Sequence, residues 1–517
     1  MKASARLLAL VTLLAMPARA ETVLRSVPQM DVKLLDPYQN TNYGTRNHAH
    51  MIYETLFAWD SKLQPHPEMV QDWKQSDDGL SWSFRLRPGL RWHDGAPVTS
   101  DDVAASLEKF LRKDGFGQKM ASRLAGIDIT GPDSFTIRLT SPFPLLPTLL
   151  GKPSGYGAFI LPARFARLAD GAKEFEPIGS GPFIFRKDLW QPGELNVYVR
   201  NPEYHPRPEP PDGFAGGHVV KIDRVEWHSM PDANTASAAL IAGEIDWIEN
   251  LSFDSIAQLE AEPSIAVTQS DPLGSQSYLR PNHLLPPFNN PKAREALLYL
   301  DDKNLYGMAA TGDSRFYIAC SALFMCGGPL QSDAGAITPN LEHARELMQE
   351  AGYNGETVVI MEPTNMPQFD AETQVTAAQL RKIGVKVELQ PVDYNAMLIR
   401  RNKRDAASAG GWNLFHSGNF GIDAASPLSN IYLASTCENA APGWPCDAEI
   451  EILKSQYLDA KTDAERRAIA DNIQRRAMVS VPYVNVVQLR AFTAYRRVVH
   501  GIIPSPVQLY WNVEKSP

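Results

Sequence analysis

The first question that the residues raise is whether any of them could form a catalytic set. A hydrolase needs a nucleophile with an activating base, or a metal ion held by a cluster of ligands. The chain has no Gly-x-Ser-x-Gly turn, no His-Glu-x-x-His pattern and no phosphate-binding loop. The run Gly179-Ser180-Gly181-Pro182 is superficially similar to a serine motif, but Pro182 favours a junction between segments. We therefore predict no catalytic residues, no metal site, no cofactor and no enzymatic activity.

The segment Trp412–Asn419 contains the side chains best suited to contact a solute. It is rich in aromatic and amide groups and follows a strand in a predicted α/β sheet, where binding crevices form. The predicted ligand contacts in it are Trp412, Asn413, Phe415, His416 and Asn419. The alternative is that its aromatic residues pack in a domain core. That alternative applies to Trp412 and more strongly to Phe415.

The four cysteines occur as two close pairs, Cys320/Cys326 and Cys437/Cys446. In an oxidising compartment each pair could close a short loop as a disulfide. The spacings differ from the two-residue clips of zinc sites, and no histidine cluster accompanies them. Disulfides are the prediction, and free or metal-bound thiols are the alternative.

Regular elements must position these groups, and residues 85–111 show them best. Alternation of apolar and polar residues before Leu86 predicts a half-buried strand, and Pro88-Gly89 and Asp94-Gly95 predict two turns. Thr99 or Ser100 then caps a helix with an acidic first turn and apolar residues at helical spacing. The later half of the chain alternates strands with helices, which predicts an α/β fold with a mainly parallel sheet.

The first twenty residues have the pattern of a secretory signal peptide. Lys2 and Arg6 precede an apolar run that is too short to span a bilayer, and Ala18-Arg19-Ala20 is a small-x-small cleavage site. We expect cleavage before Glu21 and an exported chain in the periplasm. The alternative is an uncleaved N-terminal anchor.

The charge of the chain argues against some classes of partner, and its length predicts the number of domains. Without Lys2, Arg6 and Arg19, the chain has 47 basic and 59 acidic residues, a net charge near −12. This balance argues against a nucleic-acid partner and against an anionic lipid surface. The chain of 517 residues is longer than a single hydrophobic core usually supports, so two or three domains are expected.

The sequence of residues 85–103 closely resembles the signature of the dipeptide/oligopeptide solute-binding proteins that serve ABC importers. These proteins form the bacterial extracellular solute-binding protein family 5. The resemblance covers essentially the whole mature chain. It continues in residues 179–183, 201–204, 242–246, 286–297, 344–352 and 380–389.

The resemblance implies a two-lobed periplasmic-binding-protein fold of type II, cluster C, with a subdomain inserted in the N-terminal lobe. By resemblance, residues 21–52, 176–270 and 489–517 form a discontinuous lobe I, residues 53–175 the inserted subdomain, and residues 271–488 lobe II. The boundaries near Asp271-Pro272-Leu273-Gly274 and near Gln488 are plausible hinges, because a few residues there can absorb a closure angle.

The function implied is capture of a peptide or peptide-like solute in a closing cleft between the lobes. Proteins of this family deliver their solute to ABC permease subunits in the inner membrane. The predicted partners are therefore a small-molecule or peptide ligand and that permease, and the chain is expected to be a monomer.

Two charged groups of the dipeptide binders are missing where the resemblance places them. Those proteins have an acidic residue just after a Gly-Trp pair, but Gly411-Trp412 is followed by Asn413, and Asp423 is the nearest acid. They also have an arginine before the helix ending in Lys-Ile-Gly-Val, which is absent here. A zwitterionic dipeptide needs partners for its charges. A longer peptide, or a sugar-like or opine-like solute, is therefore a further possibility.

The resemblance adds ligand candidates from other parts of the chain. Asn42, Tyr43 and Thr45 occupy the early loop that lines the cleft in similar proteins, or alternatively a solvated turn. Tyr156 could reach the ligand from the inserted subdomain, or sit at a surface loop tip. Arg280 and Asn282 lie on a strand between the lobes, where Arg280 could neutralise an anionic group or form a salt bridge.

Three rival functions remain open. A periplasmic hydrolase would turn substrate over, whereas a binder would not. A ligand-loaded sensor or periplasmic chaperone would use the same closing cleft without transport. A nickel chelate or another metal chelate is a rival ligand, although the eleven histidines form no evident cluster.

Overall fold

The structure is a computed structural model that describes residues 21–516. The predicted signal peptide, residues 1–20, and its cleavage site therefore lie outside the described residues. The strands are β1 Val23–Val27, β2 Phe57–Trp59, β3 Pro65–Pro67, β4 Val70–Gln75, β5 Ser81–Leu86, β6 Leu124–Ile129, β7 Ser134–Leu139, β8 Phe183–Phe185, β9 Leu195–Arg200, β10 Arg224–His228, β11 Trp247–Ile248, β12 Ile265–Pro281, β13 Tyr317–Ile318, β14 Val358–Pro363, β15 Val387–Val392, β16 Leu414–Phe420, β17 Val484–Arg496, β18 Val499–His500 and β19 Glu514–Lys515. The helices are α1 Tyr43–Ile52, α2 Ser100–Lys113, α3 Gly115–Ala121, α4 Leu146–Gly151, α5 Ala163–Ala166, α6 Ala233–Ala242, α7 Phe253–Glu260, α8 Pro291–Tyr299, α9 Lys303–Thr311, α10 Leu341–Glu350, α11 Pro367–Lys382, α12 Tyr394–Arg400, α13 Gly421–Ala424, α14 Ala448–Asp459 and α15 Asp463–Ser480.

The signature region folds as its sequence predicts. Strand β5 alternates buried and exposed residues, and α2 begins after Thr99, whose N–H and hydroxyl both donate to the Asp102 carboxylate at 2.8 Å. Between them, His93 accepts a hydrogen bond from the Gly179 N–H and lies 3.2 Å from the Gly181 carbonyl. Burial lowers the pKa of His93 to about 4, so this ring is a neutral structural link between the signature and the 179–183 segment.

One large sheet spans the molecule, in the order β15-β14-β16-β12-β17-β11-β1-β10-β9-β8. Lobe I is built on β11, β1, β10, β9 and β8, and lobe II on β16, β14 and β15. The expectation of a mainly parallel sheet is wrong. Parallel pairs join β1 to β10 and β11 and β14 to β15 and β16, but the remaining pairs are antiparallel. The two central strands run in opposite directions because the chain crosses between the lobes once each way.

Strands β12 and β17 form the connection between the lobes. They pair over residues 265–271 and again from Ser275 onwards, with a register shift between Asp271 and Ser275. Within this bulge, Gly274 has a positive φ of 63°, and its Cα faces the carbonyl oxygen of Leu489. The bulge falls on the predicted hinge segment. The hinge and the domain boundaries themselves stay predictions.

A second, four-stranded sheet in the order β4-β5-β7-β6 forms the inserted subdomain together with α2. Its side chains belong to the same apolar core as those of lobe I, so the two share one interior. A buried ion pair between Lys109 of α2 and Asp36 of lobe I, at 3.2 Å, joins them further. Among the described residues, no helix has the length and apolar character that a bilayer crossing requires.

Both predicted disulfides are confirmed, Cys320–Cys326 and Cys437–Cys446. The first helix, α1, ends at Ile52 because Tyr53 is extended, with φ −110° and ψ 157°. Phe57 then begins β2, where it is fully buried.

We expect Gly274→Ala to destabilise the protein more than Gly312→Ala. Both glycines have a positive φ, which costs an L-residue about 1–2 kcal/mol. A Cβ at Gly312 meets nothing within 4 Å, whereas one at Gly274 collides with the Leu489 carbonyl. Urea unfolding of both variants should therefore give a free-energy loss at least about 1 kcal/mol larger for Gly274→Ala. Equal losses would contradict the close approach in the bulge.

Candidate functional site

The candidate site lies where the central strands cross between the lobes. A cavity of about 190 Å³ opens there beside the bulge of β12. Its walls come from Gln29, Trp247 and Glu249 of lobe I, from residues 268–271 of β12, and from the C-terminal segment 502–508. Phe420, the last residue of β16, is the contribution of lobe II. The cavity therefore draws on both lobes and on the strand that connects them.

Arg46 of α1 reaches this junction from lobe I. Its guanidinium lies over the rings of Tyr43 and Phe420, at 4.6 and 5.3 Å from their centroids. Tyr43 and Phe420 also contact each other edge to face, with centroids 4.2 Å apart. Two nitrogens of Arg46 donate to the Asn47 side chain, but Nη1 is buried and has no hydrogen-bond partner among the described residues. One donor of a cationic group thus remains unused at the point where the lobes touch.

Glu249 and Asp271 supply carboxylates to the cavity wall. Glu249 accepts hydrogen bonds from the Asn47 side chain at 2.8 Å and from the Gln29 N–H at 2.7 Å. Asp271 accepts one from the Leu273 N–H at 2.9 Å through Oδ1, and its buried Oδ2 has no partner in the described part of the chain. Burial raises the pKa of both carboxyls, that of Asp271 to about 7.

A third carboxylate, Asp423 of α13, lies on the lobe II side of the junction. Burial raises its pKa, and the charges of Arg46 and Lys152 oppose that rise. The nearby Gly155 N–H and Tyr43 hydroxyl also lower its pKa. Asp423 therefore lies near Arg46 and Tyr43 of lobe I and near Lys152 and Gly155 of the inserted subdomain. Three parts of the chain converge on one carboxylate.

The early-loop residues have different positions. Asn42 is the N-cap of α1, where its side chain accepts from the Gly44 N–H at 2.9 Å, and Tyr43 lies at the junction itself. Thr45 is buried, and its hydroxyl donates to the Leu34 carbonyl at 3.1 Å, while its role as a ligand contact stays a prediction. Tyr156 is half-buried against Tyr38, with ring centroids 6.4 Å apart.

Arg280 and Asn282 are fully buried and have structural partners. The Arg280 guanidinium donates to four backbone carbonyls, those of Tyr432, Ala441, Pro442 and Pro482, at 2.7–3.0 Å. No carboxylate among the described residues pairs with it, so the salt-bridge interpretation is wrong, and its donors are already engaged within the protein. Asn282 donates to the Trp412 carbonyl at 3.0 Å. Both side chains thus have structural partners, and their role as ligand contacts stays a prediction.

The segment Trp412–Asn419 runs away from the lobe II interior toward the junction, and its first residues are core. Trp412 is fully buried, donates to the Arg401 carbonyl at 3.0 Å and packs on Phe415. Asn413 exchanges hydrogen bonds with the Val359 N–H and the Pro286 carbonyl. The side chains of Trp412, Asn413 and Phe415 are thus engaged within the lobe, and their role as ligand contacts stays a prediction.

His416 is also fully buried in lobe II. Its Nε2 lies 2.7 Å from the Thr376 hydroxyl, and its Nδ1 lies 3.4 Å from the Glu372 carboxylate, which is equally buried. Its ring thus has partners on both sides within lobe II, and its role as a ligand contact stays a prediction. Asn419, opposite Gln276 of β12, is half-buried and adjoins Phe420. Asn419 is thus the one predicted member of this segment that reaches the junction.

Four residues of the junction were missed as site residues by sequence reasoning, namely Arg46, Glu249, Asp271 and Phe420, and Asp423 was noted only as a displaced acid. The sequence held one signal. Asp271 is the first residue of the predicted hinge segment. An acidic residue in a segment that connects the two lobes lies close to both of them. The Gly411-Trp412 pair directed attention to the wrong end of β16. Its far end, at Phe420, is the one that meets Arg46.

Comparisons with known proteins agree with this architecture. The family described as bacterial extracellular solute-binding proteins, family 5 Middle, matches residues 64–442. A probable peptide ABC transporter periplasmic-binding protein of Sinorhizobium fredii is 38% identical over 492 residues, covering 94% of this chain and 92% of that protein.

Two solved structures illustrate the range of ligands on this fold. A periplasmic binding protein of Helicobacter pylori, in complex with the peptide STSA, superposes with a TM-score of 0.78 at 22% identity and covers 96% of this chain and 98% of its own. A binding protein of A. tumefaciens in complex with agropinic acid gives the same TM-score and identity, covering 96% and 99%. At this identity the two structures support the fold alone.

We expect Trp412→Ala to lower stability rather than to act on a solute directly. Removing a fully buried tryptophan leaves a cavity and costs about 3–5 kcal/mol. Trp73→Ala is the matched control, because Trp73 is 44% exposed and its loss should cost far less. Urea unfolding followed by circular dichroism measures both. A Trp412→Ala variant as stable as the wild type would restore the ligand-contact prediction.

The raised pKa of Asp271 predicts that stability falls as pH rises through its titration range. Between the pKa of an unfolded aspartate, about 4, and the folded value of about 7, the folded protein binds one more proton at this site than the unfolded chain. The charged groups facing Asp271 are Arg46, which opposes the shift, and Asp423, which adds to it. Asp271→Asn should remove this contribution, so its stability relative to wild type should rise by about 3 kcal/mol between pH 5 and pH 8.

Urea unfolding at pH 5, 6, 7 and 8 measures this difference. Asp254→Asn, which removes an exposed carboxylate from α7, is the control and should follow the wild type. Parallel curves for the wild type and Asp271→Asn would show that Asp271 titrates normally.

Proposed function

Because the chain belongs to the bacterial extracellular solute-binding proteins of family 5, we propose that it is the periplasmic solute-binding component of an ABC importer. It captures a peptide or peptide-like solute between its two lobes and presents it to a membrane permease. Solute contacts that exist only when both lobes are close together favour the closed form by their differential affinity. The closed form is then the shape that the permease recognises.

The observation that carries this proposal is the convergence on Asp423 and Arg46. Lobe I contributes Arg46 and Tyr43, the inserted subdomain contributes Lys152 and Gly155, and lobe II contributes Asp423 itself. A solute that binds these groups contacts all three parts at once. Its binding energy is therefore coupled to the relative position of the lobes.

A peptide matches the groups at the junction. Its ammonium is a partner for a buried carboxylate, and its carbonyls or carboxylate accept from the unused Nη1 of Arg46. The doubt about dipeptides rested on two missing groups, an acid after Gly411-Trp412 and an arginine before the helix that ends in Lys-Ile-Gly-Val. The junction has an acid, Asp423, and an arginine, Arg46, from other positions. The relative from Sinorhizobium fredii, named as a probable peptide binder, supports the same class of solute. The non-peptide alternative is not favoured.

We propose that the solute leaves chemically unchanged. The family and the relatives are solute-binding proteins. In the described residues, the one histidine–glutamate pair at the predicted site segment, His416 with Glu372, is wholly buried and cannot reach a substrate. The proposal also includes cleavage before Glu21, a monomeric state and no nucleic-acid partner.

We expect Asp423→Asn and Arg46→Met each to weaken peptide binding at least tenfold, equivalent to about 1.4 kcal/mol. Each change leaves a buried charge of the peptide or of the junction without its partner. Isothermal titration with a panel of di- to pentapeptides measures the affinities. Asp405→Asn, which removes an exposed carboxylate of the same lobe, should bind as the wild type does.

Mass spectrometry of the peptide after incubation should show it intact. A cleaved product would overturn the binding function in favour of hydrolysis. Absence of binding across the whole panel would exclude peptides as the solute, and unchanged affinities in both variants would move the site away from the junction.

A further inference from the structure

The cavity beside the bulge is acidic. Glu249 and Asp271 are both in its wall, and neither lysine nor arginine is among its lining residues. Asp271 is 3% exposed, and its Oδ2 has no hydrogen-bond partner in the described residues. A buried carboxylate oxygen without a partner is strongly destabilising, so it favours any guest that brings a donor. The charge of the wall makes a cation the best donor.

The rest of the cavity wall can contact the methylene chain of a cationic side chain and the peptide backbone next to it. Trp247, Phe420 and Tyr495 are apolar faces against which a methylene chain packs. The side-chain nitrogen of Gln508 is buried without a partner and is a donor for a carbonyl oxygen. At about 190 Å³ the cavity is smaller than the 300–1,000 Å³ typical of a whole ligand site. It accommodates one side chain rather than a complete peptide.

We propose that this cavity is a subsite for a positively charged side chain of the solute, an ammonium or a guanidinium. The inference rests on the proposed function and names its substrate class, which is peptides that contain lysine or arginine. The guest's nitrogen donates to Asp271 Oδ2 and interacts with Glu249, and its stem lies against the aromatic faces. Phe420 links the subsite to the junction, because the same ring contacts Arg46 and Tyr43.

Burial of Asp271 supports this assignment. Its carboxyl has a pKa of about 7 without a cation, since desolvation disfavours the charged form and only the Leu273 and Gly274 amides and Arg46 oppose that effect. A cationic guest restores the charged form. Asp271 lies at the register shifts of the bulge and is part of the cavity wall.

The test compares charged and neutral side chains of the same shape. Isothermal titration uses the tripeptides of alanine with one arginine at position one, two or three, and the same peptides with neutral citrulline in its place. For at least one position, the wild type should bind the arginine peptide at least tenfold more tightly than its citrulline counterpart. Asp271→Asn should reduce that ratio to threefold or less. Asp254→Asn, outside the cavity, should keep the wild-type ratio.

Circular dichroism checks that the Asp271→Asn variant is folded, and Asp271→Ser serves if it is not. Equal affinities for arginine and citrulline peptides would overturn the subsite while leaving peptide binding intact. A preference that survives both Asp271 variants would place the cation elsewhere and overturn the assignment as well. If none of these tripeptides and none of the di- to pentapeptides bind, the proposed function fails together with the inference.

Discussion

The antiparallel pairing of β12 with β17 is the interaction on which the rest of the structure depends. These two strands belong to both lobes, so every other strand of the large sheet is attached to them on one side or the other. The register shift between Asp271 and Ser275 interrupts the pairing midway. The cavity lies beside this shift, with Asp271 in its wall. One irregularity therefore marks both the candidate site and the predicted hinge segment.

The sequence predicts the local elements well where its signals are local. The capped helix α2 and the two disulfides depend on residues close together in the chain. The resemblance to family 5 added the two-lobed fold. The parallel character of the sheet was mispredicted, because strand direction at the centre depends on how the chain crosses between lobes and not on any local pattern.

The site was harder to predict because its residues are far apart in the sequence. Arg46, Glu249, Asp271 and Asp423 meet only after four separate segments pack together, and no spacing rule joins them. Trp412 and Phe415 were chosen by residue type, yet large aromatic side chains fill cores as readily as they line clefts. Asn419 lies near the junction because it is close to the end of β16. Position along this strand, rather than residue type, decides which side chains reach the junction.

Arg280 shows how little freedom one position of this fold retains. Its planar group satisfies four carbonyls that belong to three different stretches of chain, including the loop closed by Cys437–Cys446. A lysine carries the same charge but radiates its three donors from a single atom, so it cannot reach so wide a set. Lysine is therefore a poor substitute at this position, although Arg280 makes no ion pair with any of the described residues.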